Sequence, residues 1–116
     1  MIRYLKEQKL LILETEQTSY WIGLKYPAPI CLYWGAKIAP EDADMFEPIR
    51  DHSSFDMELW RERLEYPVFD GRTFESVSLK ADVPLNLHTK HVDVREQQAE
   101  IMLEDEAGRL EVCLVY

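Results

Sequence analysis

Ala99-Glu100-Ile101-Met102-Leu103-Glu104-Asp105-Glu106-Ala107-Gly108-Arg109-Leu110-Glu111-Val112-Cys113-Leu114-Val115-Tyr116 is the stretch whose reading decides the fold. Ala99, Ile101 and Leu103 recur at every second position and so share one face of a strand. Leu110, Val112, Leu114 and Tyr116 repeat the pattern in the second half. Between the halves, Asp105-Glu106-Ala107-Gly108 reads as a hairpin loop, with Gly108 suited to a positive backbone angle. Glu100 and Glu104 fall on the opposite, solvated face. A helix would space its apolar residues three and four apart, so this alternation commits the segment to an antiparallel hairpin.

Upstream, residues 85–95 read as extended but polar, with Val92 and Val94 giving a weak apolar face. His88 and His91 are three apart, which on a regular strand sends them to opposite faces and argues against a metal site. Residues 73–83 alternate again through Val77, Leu79, Ala81 and Val83, and Pro84 interrupts them. At the amino end, Leu10-Leu11-Ile12-Leu13 opens the first predicted strand, over 9–16, and Gln17-Thr18 is the predicted turn. Tyr20, Ile22, Leu24 and Tyr26 then share one face, with Trp21, Gly23 and Lys25 on the other, which suits an antiparallel hairpin. Pro27-Ala28-Pro29 ends that strand. Ile30 to Trp34 is a short apolar strand, and Ala36-Lys37-Ile38 continues it past a bulge at Gly35. Trp34 reads either as core, the commoner fate of aromatics in β-rich domains, or as a stacking contact for a sugar or a neighbouring domain.

Residues 39–64 break the alternation. Pro40, Asp42, Asp44 and Pro48 read as loop; Ser54 as a cap, Asp56 and Glu58 early, and Arg61 and Arg63 late read as a short helix matched to its dipole. The expectation is one long loop or short helix near 48–64. Leu64-Glu65-Tyr66-Pro67-Val68-Phe69-Asp70-Gly71-Arg72-Thr73-Phe74 follows, with Pro67 and Gly71 bracketing a turn. The plain reading is a β-turn with solvated Asp70 and Arg72. The sharper one places Glu65, Asp70 and Arg72 at a rim that meets a ligand or a second domain.

Composition bounds the function. The chain has 116 residues, 47% hydrophobic and 30% charged, which suits one globular domain. A net charge of -9 without a basic cluster excludes nucleic acid and anionic membrane surfaces as natural partners. No apolar run is long enough to span a membrane, and the start carries no signal core. Cys31 and Cys113 therefore read as reduced, buried thiols of a cytoplasmic protein.

Catalytic chemistry is not visible. The four glycines are dispersed, so no phosphate-cradling loop forms, and there is no Gly-x-Ser-x-Gly elbow. His52 with either cysteine makes no supported nucleophile pair. Asp42, Asp44 and Asp51 lie in the long connection, where a substrate could reach them, although a solvated loop is acidic without a function. No catalytic residue, metal or cofactor is predicted.

Taken together, Thr18-Ser19-Tyr20, Leu32-Tyr33-Trp34-Gly35-Ala36-Lys37-Ile38, Leu64-Glu65-Tyr66-Pro67, and Leu103-Glu104-Asp105 through Leu110 to Tyr116 resemble the amino-terminal region of glycoside hydrolase family 36, largely α-galactosidases. The motifs run along nearly the whole chain; Tyr-Trp-Gly-x-Lys-Ile followed by Glu-Tyr-Pro is the more specific pair. The resemblance implies a β-supersandwich domain preceding a (β/α)8 barrel whose two aspartates do the chemistry. It implies that this chain is the first portion of a longer amino-terminal domain. It also implies that loops between the Trp-Gly and Glu-Tyr-Pro motifs reach a substrate pocket, with Asp51 the nearest match and Trp34 close by. The segment here is shorter than in many members, and Phe69-Asp70-Gly71-Arg72-Thr73-Phe74 departs from the family's usual continuation.

The expectation is thus an all-β antiparallel sandwich of about eight strands over 1–116, part of a β-supersandwich. Its expected role is a non-catalytic portion of an α-galactosidase-like hydrolase, inactive alone, meeting an α-galactoside through the parent enzyme. Asp51, Trp34, Asp70 and Arg72 are the substrate-rim candidates. Two alternatives stand: a free-standing carbohydrate-binding module built on Trp21, Trp34 and Trp60, and an interaction domain that self-associates through the apolar edge at 110–116.

Overall fold

A computed structural model describes residues 1–41, 46, 63–68, 79 and 85–116. Among them are seven strands and two antiparallel sheets. The first sheet is a meander of β1 (Ile2–Leu5), β2 (Leu10–Glu14), β3 (Thr18–Gly23) and β4 (Ile30–Ala36), in that order. The second is β5 (Leu87–Val94), β6 (Ala99–Asp105) and β7 (Glu111–Val115). The predicted long loop or helix near 48–64 and the predicted strand over 73–83 lie almost wholly outside the described residues. The exceptions are Arg63, Leu64 and Leu79, of which Leu79 bridges Val68 in parallel.

The decisive hairpin is as expected. Ala99, Ile101 and Leu103 are essentially inaccessible on one face of β6. Gly108 turns the loop at φ 68°, and its amide donates to the Asp105 carbonyl at 2.7 Å. These residues join Leu11, Ile22, Leu24, Val68, Leu85 and Leu87 in the core between the sheets. Each large aliphatic side chain buried there contributes about 1.5–3 kcal/mol of hydrophobic stabilisation. Val92 and Val94 pack against that core too, so the weak apolar face of β5 is a real one.

The run Leu10-Leu11-Ile12-Leu13 does not alternate because its sheet is covered on both sides. Leu11 and Leu13 face the second sheet, while Leu10 and Ile12 belong to a separate cluster with Trp21, Ile30 and Leu32. Tyr33, Phe46 and Leu64 pack against that outer cluster, as does Tyr26, which leaves the face of Tyr20 once β3 has ended.

Several expectations need correcting. Leu10 does not open the first strand: β1 precedes it and pairs with β2, Tyr4 opposite Leu11. The bulge in β4 falls at Leu32 rather than Gly35, since Ile22 pairs with Cys31 and Trp21 with Tyr33. Leu32 packs closely over Gly23, where a Cβ would lie 2.9 Å from Leu32 Cδ1, so the glycine leaves room for it. A second bulge at Lys90 pairs His88 with Glu104 and His91 with Met102, so the two histidines share a face rather than opposing. Asp105, expected to begin the hairpin loop, is instead the last residue of β6 and is buried, accepting from the Asn86 amide at 3.0 Å and from Arg109 Nε at 2.8 Å. The Arg109 bond, then the Asn86 amide, hold its carboxyl below the ordinary range. Both cysteines are free, but Cys113 is exposed and Cys31 only half-buried, because β7 turns Cys113 away from the core face of Val112 and Leu114.

Candidate functional site

The strand ends that carry Thr18, Trp34 and Tyr116 surround an open groove of about 350 Å³. Its walls include Ile2, Leu13, Tyr20, Trp34 and Tyr116, with Thr15 and Thr18 at one end. Register explains the grouping. Leu13 pairs with Tyr20 and Tyr20 with Trp34, so the three stand side by side on the face that looks toward the second sheet. Trp34 sits on the edge strand β4 and is 77% exposed. The core reading of Trp34 is therefore corrected: its side chain is exposed to solvent although its neighbours Leu13 and Tyr20 on the same face pack against the core. Trp21, one strand inward and on the other face, is 0% exposed and cannot serve as a stacking platform.

Thr15 and Thr18 close the β2–β3 turn. The Thr18 amide donates to Thr15 Oγ1 at 3.1 Å, and the two hydroxyls lie 2.7 Å apart. On the reverse face, Glu14 is held by Arg3 Nε at 2.9 Å and by Ser19 Oγ at 3.3 Å, with Lys37 Nζ 3.8 Å away. Burial alone would raise the Glu14 pKa, but Arg3, Lys37 and Ser19 together outweigh it and hold the carboxyl below its usual value.

Behind the groove lies a polar contact that spans the sandwich. Glu65 Oε2 accepts from Tyr20 Oη and Oε1 accepts from Tyr116 Oη, both at 2.6 Å. Tyr20 belongs to the first sheet, and Tyr116 follows β7 of the second. Glu65 itself is anchored through its amide to the Pro29 carbonyl at 2.9 Å, beside the Ile30–Leu64 bridge. One carboxylate from the Glu-Tyr-Pro motif thus ties three distant segments together. The rim reading of Glu65 gives way to this one, in which its oxygens serve the fold.

Both tyrosines are held strongly protonated. Burial first, then the hydrogen bond and the charge of Glu65, raise each phenol above its ordinary 10.0. A group whose folded pKa lies above its unfolded one stabilises the fold fully below the unfolded value. That stability is lost as pH rises beyond about 10, where the unfolded chain ionises its phenols. In an alkaline titration, phenolate absorbance from Tyr20 and Tyr116 should therefore appear together with loss of β-sheet circular dichroism. The Tyr20→Phe, Tyr116→Phe double variant should lack that late step. Early, reversible ionisation of both phenols in the folded chain would show that the contact is open.

Of the rim candidates, Trp34 lines the groove, while Asp51, Asp70 and Arg72 lie outside the described residues, as does Trp60. Among the described residues no group of three His, Cys, Asp or Glu could hold a metal. No helix among them is long and apolar enough to cross a membrane.

Two antiparallel sheets closed over a shared apolar core define a β-sandwich. No protein-family model matches the chain, and neither does any curated protein. A solved structure does: the galactosidase domain of alpha-galactosidase-sucrose kinase, with a TM-score of 0.67 at 20% identity. The match covers 100% of this chain and 21% of that one, so the chain shares the fold of about a fifth of that domain's length. An all-β sandwich was the expectation from strand alternation, and this likeness extends along every segment of the chain.

Proposed function

We propose that this chain is the amino-terminal β-sandwich portion of an α-galactosidase-like glycoside hydrolase. In this reading it belongs to carbohydrate metabolism in the cytoplasm, where its free thiols stay reduced. It packs against a catalytic barrel and gives the pocket rim one wall. The observation that carries the reading is the fold likeness to a galactosidase domain over the full chain. The four motifs shared with glycoside hydrolase family 36 support it independently. The exposed Trp34 is its rim contact with an α-galactoside, and Asp51, Asp70 and Arg72 extend that rim. A flat indole at the edge of a sheet can stack on the apolar face of a pyranose or against a neighbouring domain.

The chain alone should not turn over a chromogenic α-galactoside, and the coding sequence beyond Tyr116 should specify a (β/α)8 barrel bearing two aspartates. Turnover by the isolated chain, or a downstream sequence without a barrel, would overturn the reading. The exposure of Trp34 also favours a second reading, a carbohydrate-binding module. It requires galactosides to change the tryptophan fluorescence of the isolated chain and Trp34→Ala to abolish the change.

A further inference from the structure

On the outer face of the second sheet, strand register lines up three donor side chains. His91 pairs with Met102, and Met102 pairs with Cys113, so an imidazole, a thioether and a thiol form one row across β5, β6 and β7. Residues directly opposite in an antiparallel ladder share a face, with Cβ atoms about 4.5–5.5 Å apart. The face is the one away from the core, because Ile101 and Leu103, on either side of Met102, are buried between the sheets. His91 reaches it only through the bulge. In a regular strand His88 and Lys90 would point outward and His91 inward beside Thr89. The extra residue at Lys90 turns His91 out, and re-aiming a side chain is a recurring use of bulges beside functional sites. His91 and Cys113 are exposed, so an ion can reach both.

We propose that His91, Met102 and Cys113 bind one soft monovalent cation, Cu(I). Donor chemistry points to it: thiolate and thioether sulfur select Cu(I), and imidazole suits copper as well. Geometry separates it from zinc. Zn(II) takes four donors in a tetrahedron, and among the described residues no group of three His, Cys, Asp or Glu could hold a metal. In this row the imidazole and the thiol approach from opposite sides with the thioether between them, a nearly in-line arrangement that Cu(I) accepts with two or three ligands. The adjacent row, His88, Glu104 and Glu111, offers harder donors, but Lys90 occupies its acids, with Nζ 2.7 Å from Glu111 Oε1 and 4.0 Å from Glu104 Oε2. That ammonium repels a dication twice as strongly as a monovalent ion. On binding, the Cys113 thiol releases its proton to solvent, the thiolate neutralises the ion, and no electron moves. This inference does not depend on the galactosidase reading.

The test is anaerobic titration of the chain with Cu(I) in competition with a chromophoric Cu(I) chelator. The expected result is one ion per chain, taken from the chelator, with thiolate-to-copper absorption in the ultraviolet and unchanged sedimentation. Cys113→Ser should abolish binding, and Cys31→Ser should leave it intact. Met102→Leu, which keeps the side-chain volume, and His91→Ala should each weaken binding at least tenfold. If one of these two loses its β-sheet circular dichroism, the other decides the matter. Ag(I), which undergoes no redox chemistry here, should compete for the same site. Affinity unchanged in both Met102→Leu and His91→Ala would reduce the row to a bare thiol and overturn the proposal. So would Zn(II) bound as tightly as Cu(I), or an ion that bridges two copies of the chain.

Discussion

Replacing Glu65 with alanine is expected to lower the unfolding free energy by about 3 kcal/mol, read as a fall in the urea midpoint at unchanged slope. The estimate follows from two hydrogen bonds to a charged acceptor, each worth roughly 1.5–3 kcal/mol, taken at the low end because Glu65 is only half-buried. Alanine also strands two phenolic hydroxyls inside the sandwich. Glutamine should cost only about 1 kcal/mol, since its carbonyl accepts one hydroxyl and its amide can donate to the other phenol. Tyr20→Phe and Tyr116→Phe remove one donor each and should cost about 1 kcal/mol apiece. Because the two donors share one carboxylate, their effects should not add, and a double-mutant cycle should show coupling. A loss well under 1 kcal/mol for Glu65→Ala would mean that water already solvates the carboxylate.

This carboxylate marks the boundary of what the sequence discloses. Alternation in Ala99 to Leu103 and in Leu110 to Tyr116 reveals the hairpin because one face of each strand is buried and the other is wet. β1 is hidden because the Lys6–Lys9 turn that ends it contains no glycine, proline, asparagine or aspartate. Lys9 adopts a positive φ of 49° there, stabilised by register rather than by composition. Bulges are equally silent. The residue that Leu32 adds to β4 shifts the register without any glycine or proline in Ile30–Trp34 to announce it, and the one at Lys90 reverses the relation of His88 to His91. The Tyr20–Glu65–Tyr116 contact joins residues 45 and 51 positions apart, so no local pattern could reveal it. Trp34 illustrates the same limit. Period-two spacing groups it with Ile30 and Leu32 of the outer cluster, but the bulge at Leu32 turns it to the face of Tyr20, where it is exposed.

The second large effect is expected at Trp21. Truncation to alanine should cost about 3–5 kcal/mol, the usual range for a fully buried large aromatic. The indole is inaccessible, tilted against Tyr33 at 5.3 Å and edge-on to Phe46 at 6.0 Å between ring centroids. It fills the outer cluster with Leu10, Ile12, Ile30 and Leu32, on the side of the first sheet away from β5–β7. Phenylalanine should be far milder, at about 1–2 kcal/mol. It leaves a smaller cavity and removes an indole Nε1 that is buried without a hydrogen-bond partner. The ordering of the two variants therefore tests the polar and apolar parts separately by urea unfolding. If alanine cost under about 1 kcal/mol, the outer cluster would not be a core, and the double burial that explains Leu10-Leu11-Ile12-Leu13 would lose its basis. If phenylalanine cost as much as alanine, the indole nitrogen would have to be satisfied after all.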